Sequence, residues 1–483
     1  MILVVSYYRL IPIYKNEAIN APHPYYRENP MPTMTTNFSF KLIKTSIIAC
    51  CILLLVACQP ATTPDTQQAE AAPAAALERA APEAVGMDSQ RLDRVTQAMQ
   101  GFVDEGLLAG VVTMAARDNK LVHFESVGYR DIELQAPMTN DSIFRIYSMT
   151  KPVTSLAAMM LFEEGKLRLD HEVSRFIPEF ADVQVFDGGN REDYTTRAPD
   201  RPMTILDLFT HTSGITYGFL MQDEPDAIYR KHKIGAPTET LLEMSQRIAK
   251  LPLSFSPGTQ WGYGHSIDVL GAIVEIVAGQ PLDEFFRERI FGPLGMDDTD
   301  FWVPENKIDR LMACYNKHPL TGEISMSDAA GKESKLYSKR PKLLNAGGGL
   351  ASTVRDYHRF CLMLMRGGTL DGARIISPKT WEFMRQNHLP DGKTIKEMGD
   401  KTFSEARMEG NGFGLGGSVL TDPVASMQPS SLGNFSWGGL ASTFFWIDPE
   451  EEMVVIQATQ MIPSGTYPIR PQLQQLVYAA VDW

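Results

Sequence analysis

The sequence predicts an α+β fold, with one antiparallel sheet built from both ends of the chain and a large helical insert between them. Two patterns carry this prediction, because apolar runs joined by short polar turns lie near residues 108–128 and again near 440–459. The stretch between them, about 148–345, has the apolar spacing of helices, broken by loops rich in proline and glycine. Strands at the ends and helices in the middle favour a sheet with helices packed against it.

Individual elements follow from capping residues, alternation and turns. Asp88 is a helix cap for an amphipathic pattern, the two hairpins have polar turns at 117–120 and 448–451, and the chain ends in a second amphipathic pattern. The predicted elements are a helix at 88–106, strands at 108–116 and 121–128, strands at 440–447 and 453–459, and a helix at 470–481. Two polar segments, 182–200 and 315–343, interrupt the helical region as insertions.

Composition narrows the class of protein. The chain has 483 residues, of which 44% are hydrophobic and 21% charged, which suits one large domain or two closely packed ones. Its net charge of −13 gives no electrostatic support for binding nucleic acid. The nine histidines include no HxH or HExxH spacing, so we expect no metal site. Cys314 and Cys361 are far apart in sequence and are expected to be unpaired, although a disulfide between them is possible in principle.

The N-terminal region has the features of an export signal. Two lysines precede the apolar run 45–57, which is too short to span a bilayer and suits the core of a signal peptide. The run ends in Leu-Val-Ala-Cys, which resembles the bacterial lipobox, and this resemblance implies a lipoprotein signal at 41–58 with lipid attached to Cys58. A plain signal peptide is the alternative. Gln59, in place of the aspartate typical of inner-membrane retention, indicates the outer membrane, with the protein facing the periplasm.

The other N-terminal segments contribute nothing to the fold. Residues 1–40 fit poorly before a signal peptide and form a doubtful extension, for which Met31 or Met34 is a better start. Residues 59–82 are rich in alanine and proline, which predicts a flexible tether to the membrane anchor. The predicted catalytic body is 83–483, with an α/β part at about 83–147 and 345–483 and a helical part at about 148–344.

The sharpest chemical motif is S-M-T-K, with Ser148 and Lys151 at the start of a helical pattern. Residues three apart lie on one helix face, so the two side chains can touch. A serine hydroxyl needs a neighbouring base, and a lysine can serve when burial lowers its pKa. The N–H groups at a helix start also favour a developing oxyanion. Alone, this motif also fits a serine cap followed by a solvated lysine.

Two further motifs accompany it. Tyr263 lies in W-G-Y-G-H-S, after a Pro-Gly turn and before a helical pattern, where its hydroxyl could transfer a proton in a cleft. Trp437-Gly438-Gly439-Leu440 opens the late hairpin, and its paired glycines would let a ligand approach the backbone. Each feature taken alone also fits ordinary packing.

The three motifs, in this order, resemble those of serine β-lactamases, penicillin-binding proteins and family VIII carboxylesterases. L-F-T-H-T-S-G at 208–214, I-F-G-P-L-G-M at 290–296 and G-G-G-L-A-S-T at 347–353 extend the resemblance over about 83–483. It implies a β-lactamase/transpeptidase-like fold and an acyl-enzyme on Ser148. In that mechanism Lys151 and Tyr263 are general base and acid, the N–H groups of Ser148 and Leu440 form the oxyanion hole, and no cofactor is needed.

Two departures from the lactamase pattern bear on the substrate. His265 stands where lactamases commonly have asparagine, and it is expected to line the cleft or hold a hydrogen bond rather than act as a second base. Trp437 stands where they have lysine, and it cannot bind a substrate carboxylate as the lysine does. We therefore expect Trp437, Gly438, Gly439 and His265 to contact a small neutral ester.

Other functions stay open at this point. A β-lactamase, a D-amino-acid peptidase or an amide hydrolase could use the same trio, and a catalytically silent envelope binding protein could retain the cleft. The chain contains no G-x-S-x-G, which disfavours an α/β-hydrolase. His211, in the H-T-S-G sequence, is expected to have a structural role in its loop.

Overall fold

The computed structural model describes residues 78–318, 322–399 and 403–482. The predicted extension, the signal peptide with Cys58 and the tether up to residue 77 lie outside the described residues. Within these three ranges, no helix is both long and apolar enough to cross a membrane.

Helices and strands follow one another along the described chain with the following bounds. The α-helices are α1 (Ser89–Asp104), α2 (Thr150–Glu163), α3 (Ile205–Phe209), α4 (Glu224–Lys231), α5 (Leu241–Ile248), α6 (Ser266–Ala278), α7 (Leu282–Phe286), α8 (Gly292–Leu294), α9 (Val354–Met365), α10 (Pro378–Met384), α11 (Ile395–Met398), α12 (Pro423–Ser426) and α13 (Ile469–Ala479). The strands are β1 (Gly110–Arg117), β2 (Lys120–Asp131), β3 (Ala136–Pro137), β4 (Phe144–Arg145), β5 (Val185–Gly189), β6 (Tyr194–Arg197), β7 (Cys314–Lys317), β8 (Ile324–Asp328), β9 (Ala351–Ser352), β10 (Thr369–Leu370), β11 (Ala373–Arg374), β12 (Asn411–Phe413), β13 (Ser418–Leu420), β14 (Phe435–Gly438), β15 (Phe444–Asp448), β16 (Met453–Ala458) and β17 (Met461–Ile462).

The main sheet joins the two ends of the chain, as the sequence predicts. In the part of the chain that the structure describes, its order is β12-β13-β14-β15-β16-β1-β2-β3, and every neighbouring pair is antiparallel. β1 lies between β16 and β2, with Met114 opposite Ile456 on one side and Phe124 on the other. The α+β prediction is thereby confirmed.

Both faces of the sheet are buried, and the strand period of two separates the faces. Along β1, Val111 and Ala115 join the small cluster formed with α1 and α13, whereas Val112 and Met114 join the large core on the opposite face. This large core continues into α2 and α6, which pack against each other. The sheet therefore supports α2, the helix that follows the S-M-T-K motif.

Several local predictions are confirmed. The Asp88 side chain accepts a hydrogen bond from the backbone N–H of Arg91 and caps α1. The first hairpin turns at Asp118 and Asn119, whose φ angles of +48° and +57° suit the two-residue turns of twisted hairpins. Cys314 and Cys361 are unpaired and buried.

The strand predicted at 440–447 begins later than expected. β15 starts at Phe444, and Trp437 and Gly438 belong to the preceding strand β14, so the late glycine motif ends one strand rather than opening the next. A tight turn explains the difference, because the N–H of Gly439 donates to the carbonyl of Thr443 at 2.9 Å and Ser442 adopts a φ of +67°.

The two polar insertions form hairpins of their own. The first contains β5 and β6, and the second contains β7 and β8 with a parallel contact from β17 to β7. Arg145 in β4 is fully buried and pairs with Asp328 at the end of β8. The second insertion is therefore attached to the strand that leads into Ser148.

Candidate active site

Ser148 and Lys151 meet at the start of α2. Ser148 lies in a 3-10 turn, Tyr147–Met149, and Lys151 lies in the first turn of the α-helix that follows. The lysine Nζ donates to Ser148 Oγ at 3.1 Å and to the carbonyl oxygen of Gly347 at 2.6 Å. Ser148 is 8% exposed and Lys151 is 1% exposed. A serine hydroxyl and a buried lysine amine are thus in direct contact, in the geometry that a nucleophile and its base require.

Burial gives Lys151 a pKa suited to a general base. Loss of solvent lowers the pKa of its ammonium to about 8, against the opposing charges of Asp268 and Glu405, which raise it. A lysine with this pKa has an appreciable neutral fraction near neutral pH, and the neutral amine can accept a proton from Ser148.

Tyr263 completes the cluster from the loop before α6. The Lys151 Nζ lies 4.7 Å from the centre of its ring, and its hydroxyl hydrogen-bonds with Ser148, Trp437 and Tyr217. Burial raises the pKa of this phenol well above its usual value, and the negative charge of Glu405 acts in the same direction. Tyr263 therefore stays protonated near neutral pH, which suits a proton donor beside the serine and leaves the role of base to Lys151.

The late glycine motif, residues 437–440, contacts the site through the buried side chain of Trp437. The Trp437 ring is fully buried, and its Nε1 donates to the Tyr263 hydroxyl at 3.2 Å. A Cβ on Gly438 would lie 2.6 Å from the guanidinium carbon of Arg470, and one on Gly439 would lie 2.3 Å from the carbonyl oxygen of Ile146. The groups that approach these glycines closely are thus parts of the protein, and Trp437 holds the tyrosine in place.

Two backbone N–H groups are available for an oxyanion. Ser148 lies in the first helical turn, where backbone N–H groups have no helical acceptor, and the N–H of Leu440 donates to no other backbone group in the described residues. The turn that carries Leu440 is fixed by Arg470 in α13, whose guanidinium donates to the carbonyl oxygens of Gly439 and Thr443, both at 2.8 Å. An oxyanion hole requires fixed donors of this kind.

A chain of contacts links His265 to the lysine. The Nδ1 of His265 lies 2.8 Å from one carboxylate oxygen of Asp268, and the other oxygen accepts the N–H of Gly347 at 2.8 Å. The carbonyl of Gly347 in turn accepts from Lys151. His265 is therefore hydrogen-bonded at the edge of the site, as expected, and Asp268 fixes the loop that holds the lysine.

His211 packs directly against the site. Its ring lies 4.8 Å from that of Tyr263 and 5.6 Å from that of Phe413, centre to centre. Burial, together with the charge of Lys151, lowers the pKa of the imidazole well below its usual value, so the ring is neutral. These contacts agree with a structural role. No group of three or more metal-ligating side chains occurs in the described part of the chain.

Sequence reasoning missed four contributors: Tyr217, Asp268, Glu405 and Arg470. Glu405 and Arg470 form a buried ion pair at 3.0 Å between distant parts of the chain. Only the position of Asp268, three residues after His265 at a helix start, gave a usable signal, since such spacing places two side chains together.

A buried serine in contact with a lysine and a tyrosine, packed against β14 of this sheet, defines a protein of the serine hydrolase type. The chain belongs to the Beta-lactamase family, whose model matches residues 95–478. The family resemblance and the β-lactamase/transpeptidase-like fold predicted from the motifs are thereby confirmed.

Three known proteins are similar to the chain over most of its length. The Mycobacterium tuberculosis protein Rv1367c is 38% identical over 382 residues, which cover 77% of this chain and 90% of that one. Esterase EstB of Burkholderia gladioli is 30% identical over 418 residues, covering 82% and 98%. The solved structure of EstCE1, a hydrolase with promiscuous acyltransferase activity, has a TM-score of 0.66 at 29% identity, covering 81% of this chain and 99% of that one.

Proposed function

We propose that the protein hydrolyses carboxylic esters through an acyl-enzyme on Ser148. The contact between Lys151 and Ser148, with Tyr263 against both, carries this proposal. Trp437 occupies the place of the lactamase lysine and offers no cation to a substrate carboxylate at that position. The names of EstB and EstCE1, an esterase and a hydrolase, agree with ester cleavage.

Each step assigns a proton to a named atom. Neutral Lys151 takes the proton of Ser148 as Oγ attacks the ester carbonyl carbon, and the oxyanion is stabilised by the N–H groups of Ser148 and Leu440. The tetrahedral intermediate then collapses, and the C–O bond to the alcohol breaks. The leaving alkoxide receives a proton from Tyr263, which regains one from Lys151. A water molecule repeats the attack on the acyl-enzyme, and the acid leaves with Ser148 protonated again.

Transfer of the acyl group to an alcohol is a second candidate. An alcohol bound in place of water would yield a new ester by the same steps, with its proton accepted by Lys151. The description of EstCE1 as a hydrolase with promiscuous acyltransferase activity favours this variant. Ester product formed in the presence of added alcohol would distinguish it from hydrolysis.

The first test is hydrolysis of p-nitrophenyl butyrate by the purified protein and by Ser148→Ala. Ser155→Ala is the matched control, because Ser155 is a buried serine of α2, the helix that follows Ser148, and its Oγ has no partner among the described residues. The proposal requires loss of turnover in Ser148→Ala alone, and a butyryl adduct on the unmodified protein by mass spectrometry. Equal turnover in Ser148→Ala would remove the serine from the mechanism. Turnover of nitrocefin but of no ester would favour a β-lactamase.

We also propose that lipid on Cys58 attaches the protein to the bacterial cell envelope, at the outer membrane on its periplasmic side. The support is the Leu-Val-Ala-Cys sequence at the end of a short apolar run, and Gln59 after it.

A further inference from the structure

We propose that the groove formed beside the active site by residues 335–343 binds the distal end of the substrate, and that this end carries a carboxylate read by Lys335 and Lys339. This inference rests on the proposed ester hydrolysis and names its substrate class: amphipathic esters with an apolar chain that ends in an anionic group.

The groove has the size and lining for such a chain. Its volume is about 390 Å³, which accommodates a small acyl or alcohol group. Its apolar lining is provided by Pro237, Phe301, Leu336, Tyr337, Pro341 and Leu343. Leu336 is 55% exposed, so its apolar side chain is open to an occupant of the groove.

The groove adjoins the catalytic cluster. Gly348 and Gly349 line one end, directly after Gly347, whose carbonyl accepts Lys151. Gly235 lines the groove as well, and a Cβ there would lie 3.6 Å from the ring carbon Cε1 of His265. A Cβ on Gly348 would also lie 3.7 Å from the carbonyl carbon of Tyr147, the residue before Ser148, so the groove begins close to the serine.

The charge of the groove is opposite to that of the chain as a whole. Its lining residues include Lys335, Lys339, Arg340 and Lys342 but no carboxylate, on a protein with a net charge of −13. Arg340 pairs with Asp283 and Lys342 pairs with Glu243, so these two cations are neutralised by the protein.

Lys335 and Lys339, unlike Arg340 and Lys342, are not neutralised by the protein. Both are exposed, and neither ammonium has an anionic partner in the described part of the chain. Two free cations at the rim of an apolar groove are complementary to an apolar chain with a carboxylate at its end.

Lys335 is carried on a backbone segment that buried contacts hold in place. Asp328, paired with buried Arg145, also accepts the hydroxyl of Ser334 at 2.7 Å and the N–H of Lys335 at 3.0 Å. The Arg145 guanidinium lies 5.3 Å from the centre of the Tyr337 ring. Because the backbone is anchored on the buried side, the exposed side is a preformed surface rather than a loop that must order on binding.

The test compares two p-nitrophenyl esters that differ only at the distal end: p-nitrophenyl hexanoate and the mono-p-nitrophenyl ester of adipic acid. The unmodified protein should prefer the carboxylate ester in kcat/KM, and the preference should fall as salt is added. In Lys335→Gln/Lys339→Gln the ratio of the two kcat/KM values should fall about fivefold, with hexanoate little changed.

Lys332→Gln/Lys379→Gln is the control, since it removes two exposed lysines that pair with Glu305 and Glu382 and do not line the groove. It should keep the ratio of the unmodified protein. Equal ratios in the groove double variant and the unmodified protein would overturn the inference while leaving ester hydrolysis intact.

A binding measurement separates failure of the groove from failure of the proposed function. Calorimetric titration of Ser148→Ala with monoethyl adipate and with ethyl hexanoate needs no turnover. Tighter binding of the adipate, lost when Lys335→Gln/Lys339→Gln is combined with Ser148→Ala, supports the groove even if neither ester is hydrolysed. Equal binding of the two ligands contradicts it.

Discussion

The Trp437 indole donates its N–H to the Tyr263 hydroxyl at 3.2 Å, so the tryptophan, which the motif resemblance puts at the position of the lactamase lysine, fixes the tyrosine beside Ser148. The two rings also pack edge to face, with centres 5.5 Å apart. The motif that contains Trp437 therefore affects the reaction by positioning Tyr263. A lysine at this place could face the substrate, whereas the tryptophan is fully buried and faces the protein.

Trp437→Phe should lower kcat for p-nitrophenyl butyrate about tenfold, with a smaller effect on KM. The phenyl ring keeps most of the packing but loses the hydrogen bond that orients the phenol, a loss of about 1–1.5 kcal/mol. Trp446→Phe is the matched control, because Trp446 is also fully buried in the sheet but its Nε1 has no partner among the described residues. A fall in kcat of the same size in both variants would show that packing, not the hydrogen bond, is responsible.

The pH dependence of kcat/KM should follow Lys151. Because burial lowers the pKa of its ammonium to about 8 and the neutral amine is the base, kcat/KM should rise with pH and level off above about pH 8. Below this pH the value should fall about tenfold per unit, since the protonated fraction cannot accept the serine proton. Measurement by pH-stat titration between about pH 6 and 9 checks this. A flat profile across that range would contradict the assignment of Lys151 as base.

Removal of the Asp268 charge should move that profile to lower pH. Asp268 raises the pKa of Lys151 by favouring the ammonium, so Asp268→Asn should lower this pKa and shift the rising limb towards acid. The variant also weakens the hold on the Gly347 N–H, and we expect kcat on the plateau to fall about tenfold.

Asp356→Asn is the comparison for this variant. Asp356 is likewise a buried carboxylate, but it binds the backbone N–H of Asp298 and the hydroxyl of Thr299 instead of the active-site loop. Replacement of Asp356 should leave the pH at which kcat/KM rises unchanged. If the rising part of the profile lies at the same pH in Asp268→Asn as in the unmodified protein, Asp268 positions the loop but does not change the pKa of Lys151.

The fold and the contact between Ser148 and Lys151 were predictable because their signals are local, whereas Tyr263 was assigned to the site through the resemblance of its motif to the family. Alternating apolar and polar residues, together with turn residues, predict the hairpins. The spacing of three between Ser148 and Lys151 predicts that their side chains meet at the start of a helix. Glu405 and Arg470 gave no such signal. Each is a charged residue with no distinguishing pattern in its own stretch of sequence, and only the tertiary fold brings the two together in an ion pair beside the site.

The strand error at 440–447 has a similar cause. Leu440 and Ala441 continue an apolar run that is typical of a strand, but the pairing of Gly439 with Thr443 closes a turn there. The competing preference depends on a contact with Arg470, which no local pattern contains. Apolar periodicity therefore located the hairpin but not the residue at which its strand begins.

Cys58→Ser should release the protein from membranes. In a Gram-negative host the unmodified chain should incorporate labelled palmitate and sediment with the outer membrane, because multiple acyl chains give stable attachment. The serine variant should incorporate no label and appear in the soluble fraction. Cys50→Ser, which changes a cysteine inside the apolar run, is the control and should still be labelled. Palmitate in both variants would exclude Cys58 as the unique lipid site.

The buried pair of Arg145 and Asp328 should be critical for the second insertion. The side chains are 0% and 8% exposed, and the guanidinium also donates to the carbonyl of Ala329 at 2.9 Å. Arg145→Met leaves the Asp328 carboxylate buried without its partner, which should lower the free energy of unfolding by about 3–5 kcal/mol.

The double variant Arg145→Met/Asp328→Leu removes both charges together and should recover much of that loss, since a buried ion pair can be replaced by apolar groups at little net change. Urea denaturation measures the stability, and hydrogen exchange of the amides at 324–337 shows where it is lost. Faster exchange confined to this segment in Arg145→Met would locate the effect in the insertion that carries the basic groove. A double variant less stable than Arg145→Met would instead mean that the hydrogen bonds of Asp328 to Ser334 and Lys335, rather than the ion pair, hold the insertion in place.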